Sequence, residues 1–194
     1  MKIKTSYIIM IVVGILLLST ILMYNSIIDK QENIGKSWSQ VENVYQRRSD
    51  LIPNLVRTVK GYAKHEKETF TAVVEARAKA TSININANKL NPQTVNNFMA
   101  AQDGLSSALS KLMVVVEKYP DLKANQNFLE LQSQLEGTEN RITTERRKFI
   151  ENVKKYNTII RKFPGSLFAG IFGFERVDYF QAEKGAEKAE DIDM

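Results

Sequence analysis

Few side chains in this sequence are of the types that carry catalysis. The chain has one histidine, His65, and no cysteine. His65 and Glu66 begin like the zinc-hydrolase motif H-E-x-x-H, but residue 69 is Thr, so the second imidazole one helical turn later is missing. The lack of cysteine excludes disulfides, thiolate nucleophiles, iron–sulfur clusters and zinc fingers. Most routes to nucleophilic or zinc-dependent catalysis are therefore closed.

Arginine and carboxylate side chains leave one route to an enzyme or a metal-dependent site. Glu68 and Glu75 lie seven residues apart and share a helix face, where they could flank a cation, although a solvated polar face explains this spacing equally well. Such a site would have to gather several charged residues in one cleft: Arg47, Arg48, Asp50, Glu66 and Glu68. Because a nucleophile would have few ways to be activated, we predict instead that the protein is not an enzyme and has no catalytic, cofactor-binding or metal-binding residues.

The N-terminus carries an uncharged run that is long enough to cross a membrane. Residues 7–24 read YIIMIVVGILLLSTILMY, and about 20 helical residues span a bilayer core. Tyr7 and Tyr24 bracket the run, as aromatic residues do at membrane interfaces. A cleaved signal peptide is the alternative, but no small-x-small cleavage site follows Tyr24. We therefore predict that residues 1–28 are a retained, single-pass membrane anchor.

The side of the membrane is less clear from the basic residues. Two lysines precede the span, and four basic residues follow it within about twenty positions. This bias favours a cytoplasmic main domain. Short basic N-termini are themselves often held inside, so the sequence leaves the orientation open.

The rest of the chain has the composition and periodicity of long helices. It contains only nine Gly and four Pro in 194 residues, and this shortage of turn-forming residues disfavours a many-stranded fold. Apolar residues recur every three or four positions from 34 to 62, from 95 to 119 and from 122 to 163. The predicted fold class is all-α: a transmembrane helix, then an elongated antiparallel bundle of three or four long helices over residues 29–164.

Three segments are predicted to interrupt or end the helices of the bundle. Pro53 falls inside the first periodic run, where proline removes a helical hydrogen bond. Residues 30–80 therefore form either one kinked helix or two helices that meet near Pro53, with Ser49 or Asp50 as the second N-cap. The Asn-rich segment 82–92 predicts a loop, and Pro120 ends the second run, with Asp121 as the expected cap of the third.

The C-terminal part, residues 165–194, combines an apolar Gly-rich segment with an acidic tail. The apolar residues either form a loop that folds back to complete the core or are exposed as an interaction patch. Before them, residues 141–162 contain eight basic and two acidic residues, which indicates a solvated helix face or attraction to anionic lipid headgroups. Nucleic acid is not a predicted partner, because the basic stretch lacks a reading motif. The candidate interaction surface comprises Leu167, Phe168, Ile171, Phe172, Phe174, Lys154, Lys155, Arg161 and Lys162.

Two blocks of sequence resemble the bacterial LemA family. The first is RRSDLIPNLV at 47–56, which continues into VKGYAKHE at 59–66 and EARA at 75–78. The second includes Tyr156-Asn157, Phe163-Pro164, LFAGIFGF at 167–174 and Tyr179-Phe180. The likeness follows nearly the whole chain in order. It implies a single-pass membrane protein with a helical bundle, usually with a short external N-terminus and a cytoplasmic bulk, and it implies no known catalytic activity.

These observations predict a membrane-anchored, non-enzymatic scaffold or adaptor in a bacterial membrane. Residues 7–24 contact the lipid bilayer, and the bundle and the C-terminal apolar segment bind membrane or envelope proteins. Genome neighbourhoods in the resembled family associate it with membrane proteases and stress-linked proteins, which makes membrane proteases candidate partners. Partner identity and oligomeric state stay open at this point.

We expect residues 7–24 to remain in the mature protein, because no cleavage site follows them. Mass spectrometry of the intact protein from a membrane fraction should find the complete N-terminus. A mature chain that starts near Ser26 would contradict the retained anchor.

Overall fold

A computed structural model describes residues 5–85, 90 and 92–177, and within these ranges the chain forms six helices and no strand. The predicted all-α class is confirmed. The helices are α1 (Thr5–Tyr62), α2 (Lys67–Ser82), α3 (Pro92–Val116), α4 (Pro120–Lys123), α5 (Gln126–Ile159) and α6 (Gly165–Phe172).

The chain divides into two compact units, to which α1 and α5 both contribute. The anchor unit is described over residues 5–47 and 136–177, and the bundle unit over the described part of residues 48–135. The boundaries predicted from sequence, after residues 28 and 164, stay predictions.

In the anchor unit, α1 and α5 run antiparallel. Trp38 meets Phe149 edge to face with ring centroids 5.4 Å apart, and the Asn152 side chain donates a hydrogen bond to the Asn33 carbonyl at 3.4 Å. Residue numbers therefore rise along one helix as they fall along the other. The predicted periodic residues form the buried face of this pair: Ile34, Trp38, Val41, Tyr45, Ile142, Phe149, Tyr156 and Ile160.

In the bundle unit, α1, α2 and α3 run in alternating directions. Arg77 on α2 bonds to Ser49 on α1, the Gln102 side chain on α3 donates to the Ala80 carbonyl at 3.4 Å, and the Tyr119 hydroxyl bonds to Glu66 at 3.4 Å. Apolar side chains from α1, α2, α3, α4 and α5 fill the space between the helices. The largest members of this core are Ile52, Leu55, Val59, Phe70, Val73, Leu105, Leu112, Leu122 and Phe128.

The first helical break lies ten residues beyond Pro53. Helix α1 continues through Pro53 to Tyr62, and the chain turns at residues 63–66 before α2 begins. Ser49 and Asp50 are inside α1, so their expected role as an N-cap is wrong. The Tyr62 hydroxyl accepts a hydrogen bond from the Asn125 side chain at 3.0 Å, which braces the end of α1.

Helix α1 tolerates Pro53 because a second helix satisfies the carbonyl that proline leaves unbonded. A residue at position 53 would ordinarily donate its N–H to the carbonyl of Ser49, four residues earlier, and proline has no N–H. The Arg77 Nε donates to this Ser49 carbonyl at 2.8 Å. Ser49 is buried, so the carbonyl needs a protein partner. The Arg77 hydrogen bond thus both compensates for Pro53 and links α2 to α1.

Arg48 interrupts the apolar spacing of the first periodic run, and a buried polar contact explains this interruption. Arg48 is 2% exposed, and its guanidinium donates to the Gln102 side-chain oxygen at 2.7 Å and to the Ser106 hydroxyl at 3.0 Å. Gln102 is the polar residue within the second periodic run. Arg48 and Gln102, the polar residues within these two runs, therefore contact each other. The contact gives the buried Arg48 charge a hydrogen-bond acceptor.

The third long helix begins later than predicted. Residues Pro120–Lys123 form the short α4, and α5 starts at Gln126. The Asn125 side chain accepts a hydrogen bond from the Phe128 N–H at 3.0 Å, which is N-cap geometry. Asn125 thus takes the capping role that was expected of Asp121.

We expect the Arg77→Met and Pro53→Ala substitutions to be coupled. Arg77→Met leaves the buried Ser49 carbonyl without this donor and should destabilise the fold by about 1–3 kcal/mol. Pro53→Ala restores an N–H at that carbonyl, so it should recover a large part of the loss in the Arg77→Met background. Chemical unfolding of the full chain in micelles gives the double-mutant cycle.

Arg141→Met serves as the control for this cycle, because Arg141 is an exposed arginine on α5 and is not a helix neighbour of Pro53. It should show no coupling to Pro53→Ala. Purely additive effects of Arg77→Met and Pro53→Ala would contradict the shared-carbonyl explanation.

Candidate functional site

The apolar part of α1 exposes its side chains on every side. By length and composition, this helix could cross a membrane, and no residue of its most apolar 18-residue stretch is buried. Large side chains along it, such as Met10, Leu17 and Leu22, are each more than half exposed. Because a soluble core helix would bury such residues, the exposure fits a helix whose solvent is lipid.

The C-terminal apolar segment is a helix and not the loop considered from sequence. Helix α6 runs from Gly165 to Phe172 and ends at Gly173, which adopts the left-handed conformation with φ of 72°. The Phe174 N–H then bonds to the Ala169 carbonyl at 3.0 Å, a helix ending that glycine makes easy. At the other end, a Cβ at position 165 would overlap the Ile159 carbonyl oxygen, so only glycine lets α6 begin this close to α5.

The predicted surface residues of α6 divide between two faces. Leu167 is 57% exposed and Ile171 is 73% exposed, and their spacing of four residues places them on one outward face. Phe163, just before α6, is also largely exposed. Phe168 and Phe174 are half-buried, and Ala169 lies on the buried face. The segment is thus neither wholly core nor wholly exposed.

Aromatic contacts place α6 beside the end of the apolar part of α1. The Phe172 ring meets the Tyr24 ring edge to face with centroids 5.0 Å apart. Phe174 lies 5.8 Å from the same tyrosine ring. Tyr24 is the residue that marks the end of the predicted span. We call Tyr24, Phe172 and Phe174 the aromatic cluster; periodicity could not have predicted it, because it joins positions about 150 residues apart.

Two side chains on α5 hold the chain after α6. The Tyr156 hydroxyl donates to the Glu175 carbonyl at 2.9 Å. The Asn157 side chain donates to the Val177 carbonyl at 2.7 Å and accepts from the Val177 N–H at 3.1 Å. Burial, aided by the Glu175 charge, raises the pKa of the Tyr156 phenol above its ordinary value of 10.0. The Tyr156 phenol therefore stays protonated, and able to donate this hydrogen bond, to a higher pH than a free tyrosine.

Basic residues of the candidate surface line a groove in the anchor unit. The groove has a volume of about 640 Å³, and Lys154, Lys155 and Lys162 contribute to its lining together with Lys30 of α1. Met23, Ile159 and Phe163 form apolar parts of its wall. Arg161 is exposed nearby in sequence but is not among the lining residues. We call this feature the lysine groove; Met23 and Lys30 were not predicted, because only the folded chain brings α1 to α5.

The charged residues considered for an enzyme differ in burial and in position along the helices. Arg48 is buried and bonded to Gln102, whereas Asp50 and Glu68 are exposed. Asp50 lies twelve residues before the end of α1, a distance of about 18 Å along the helix, and Glu66 follows that end. Arg47 is exposed on α1.

Histidine and acidic side chains offer no metal centre in the described residues. His65 is exposed in the turn between α1 and α2, and Glu75 is exposed on α2. Among the described residues, no group of three or more His, Asp or Glu side chains is placed to hold a metal ion.

Comparison with known proteins decides the family. The family model described as LemA family matches residues 37–193. The chain belongs to the LemA family. The resemblance drawn from the two sequence blocks is thereby confirmed. The first block holds Arg48, Pro53 and Arg77, and the described part of the second contributes to the end of α5 and to α6, whereas Tyr179-Phe180 lie outside the described residues.

Several curated relatives of this LemA-family chain carry names. It is 27% identical to magnetosome protein MamQ of Magnetospirillum gryphiswaldense, over 88% of this chain and 69% of the relative. It is 28% identical to magnetosome protein MamQ 2 of Paramagnetospirillum magneticum over the same shares. Protein LemA of Metamycoplasma hominis is 24% identical over 82% of this chain and 69% of that protein. None of these names describes an enzyme, and together with the apolar part of α1 they identify a membrane-associated bacterial protein.

We expect Phe172→Ala and Ile171→Ala to differ in their effect on stability. Ile171 is 73% exposed, so its truncation should change the free energy of unfolding by no more than about 0.5 kcal/mol. Phe172 is 45% exposed but contacts Tyr24, so its truncation should cost about 1–2 kcal/mol. That is less than the roughly 3–5 kcal/mol expected for a fully buried Phe.

Chemical unfolding of the full chain in micelles, followed by circular dichroism, measures both values. Equal, near-zero effects would show that the aromatic cluster does not hold α6 in place. A loss above about 3 kcal/mol for Ile171→Ala would instead place the outward face in the core.

Proposed function

We propose that the protein is a membrane-anchored, non-enzymatic adaptor that binds other membrane proteins through its bundle surface and through the outward face of α6. The observation that carries this proposal is the position of that face. Leu167 and Ile171 are exposed on α6, and the aromatic cluster ties α6 to the end of the apolar part of α1. Exposed apolar patches of this kind mark interaction sites in folded proteins.

The location of the face selects the type of partner. An apolar face at the end of a membrane span lies where a second membrane protein also presents apolar and aromatic side chains. A soluble partner would need an apolar patch that reaches the bilayer surface. Arg161 is exposed in the connection just before α6, and it favours a partner with acidic groups near that face.

The fold gives less support to the alternative of an enzyme or metal-dependent site. Arg48 is engaged by Gln102 and Ser106 inside the bundle unit. Asp50 and Glu66 are separated by the last three turns of α1. The most polar residues of the family-like blocks therefore have structural explanations, whereas the exposed residues of α6 have none within the fold.

Site-specific crosslinking tests the adaptor proposal. A photoreactive amino acid at Ile171 should give discrete protein adducts in native membranes, and these adducts should stay in the membrane after an alkaline wash. The matched control places the same group at Val114, an apolar residue of the bundle unit that is 65% exposed. A Leu167→Ser substitution should weaken the Ile171 adducts, because it removes a neighbour on the same face.

Two results would contradict the proposal. Crosslinking of Ile171 to lipid alone would show that the face of α6 is a lipid contact and not a protein contact. Identical protein adducts from Ile171 and Val114 would show that the capture reflects exposure and not a specific surface.

A further inference from the structure

We infer that the lysine groove of the anchor unit binds the headgroup of an anionic phospholipid. The inference rests on the groove and on its place beside the membrane span, and it does not depend on the adaptor proposal. It assigns an occupant to a cavity built from both α1 and α5.

The size of the groove suits a small ligand. Its volume of about 640 Å³ falls within the range of roughly 300–1,000 Å³ that is typical of small-molecule sites. The wall is formed by α1 at Met23 and Lys30, and by the end of α5 and the start of α6 at Ile159 and Gly165. These elements are held together by the contact of Tyr24 with Phe172.

The charge of the groove selects an anion. The surface of the groove is mostly apolar, and the charged residues that contribute to it are four lysines and one glutamate, Glu151, with a net formal charge of +3. Lysine ammonium groups bind phosphate as mobile point charges. A zwitterionic headgroup offers a cation as well as a phosphate, and the three excess positive charges would repel that cation. The lining therefore favours a headgroup with net negative charge.

Two features favour a lipid over a free phosphate: the apolar wall of the groove and its closeness to the end of the predicted membrane span. Met23, Ile159 and Phe163 line the same groove as the lysines, and a soluble phosphate has no apolar part to place against them. Lys30 follows Tyr24 by six residues, about 9 Å along α1. The headgroup layer extends about 5–7 Å beyond each side of the hydrocarbon core. With Tyr24 at the edge of the core, the Lys30 ammonium is within reach of lipid phosphates.

The experiment is native mass spectrometry of the full chain in detergent, titrated with phosphatidylglycerol, phosphatidylcholine of the same acyl chains, or glycerol 1-phosphate. We expect saturable binding of one phosphatidylglycerol and markedly weaker binding of the other two. The triple variant Lys154→Gln, Lys155→Gln, Lys162→Gln should weaken phosphatidylglycerol binding by at least about tenfold.

Two further triple variants separate charge at the groove from total charge and from misfolding. Lys79→Gln, Lys111→Gln, Lys118→Gln removes three exposed lysines of the bundle unit and should leave binding within about twofold of the original. Lys154→Arg, Lys155→Arg, Lys162→Arg keeps the charge of the groove and should retain binding. Unchanged circular dichroism spectra of the three variants confirm the fold.

Three outcomes would overturn the inference. Equal binding of phosphatidylcholine and phosphatidylglycerol would remove the role of net charge. Equal losses in the two glutamine triple variants would show that binding follows total charge and not the groove. Binding of glycerol 1-phosphate as tight as that of phosphatidylglycerol would identify a site for a free phosphate ester and not for a lipid.

Discussion

The need to solvate the apolar part of α1 is the constraint on which the anchor unit depends. Most of the eighteen uncharged residues 7–24 are exposed, and they lie on all sides of the helix; water is a poor solvent for such a surface. A surrounding lipid bilayer removes the free-energy cost of hydrating these side chains. The depth of the span in the bilayer then also sets the depth of the residues that pack on its end. Tyr24 is attached there, and Phe172 packs on Tyr24 at 5.0 Å. If residues 7–24 span the membrane as we propose, the outward face of α6 and the lysine groove both lie at the membrane boundary.

Much of the fold could be predicted from the sequence, because the buried residues of long helices recur every three or four positions. Ile52, Leu55 and Leu105 are buried as that period requires. The position of the first break could not be predicted locally. Pro53 normally argues against a continuous helix, and its tolerance here comes from Arg77, a residue 28 positions after the carbonyl it satisfies.

The residue types of the candidate surface could be predicted from the sequence, but their arrangement in space could not. The exposed residues Leu167 and Ile171 belong to a segment whose apolar character is plain in the sequence. Its helical form depends on Gly165, which fits against the Ile159 carbonyl, and on the turn at Gly173. Lys30 carried no local signal of a role in the lysine groove, because its partners there lie more than 120 residues later in the chain. Tertiary contact alone assembles that groove.

The central claim is that α6 lies at the membrane boundary. The chain has no cysteine, so a single Ile171→Cys variant can carry one nitroxide label, and Val114→Cys provides a matched label on the bundle unit. Power-saturation electron paramagnetic resonance in bilayers reports the access of each label to oxygen, which is enriched in lipid, and to a water-soluble nickel chelate. The account predicts high oxygen access and low nickel access at Ile171, with the reverse at Val114. High nickel access at Ile171, equal to that at Val114, would contradict it.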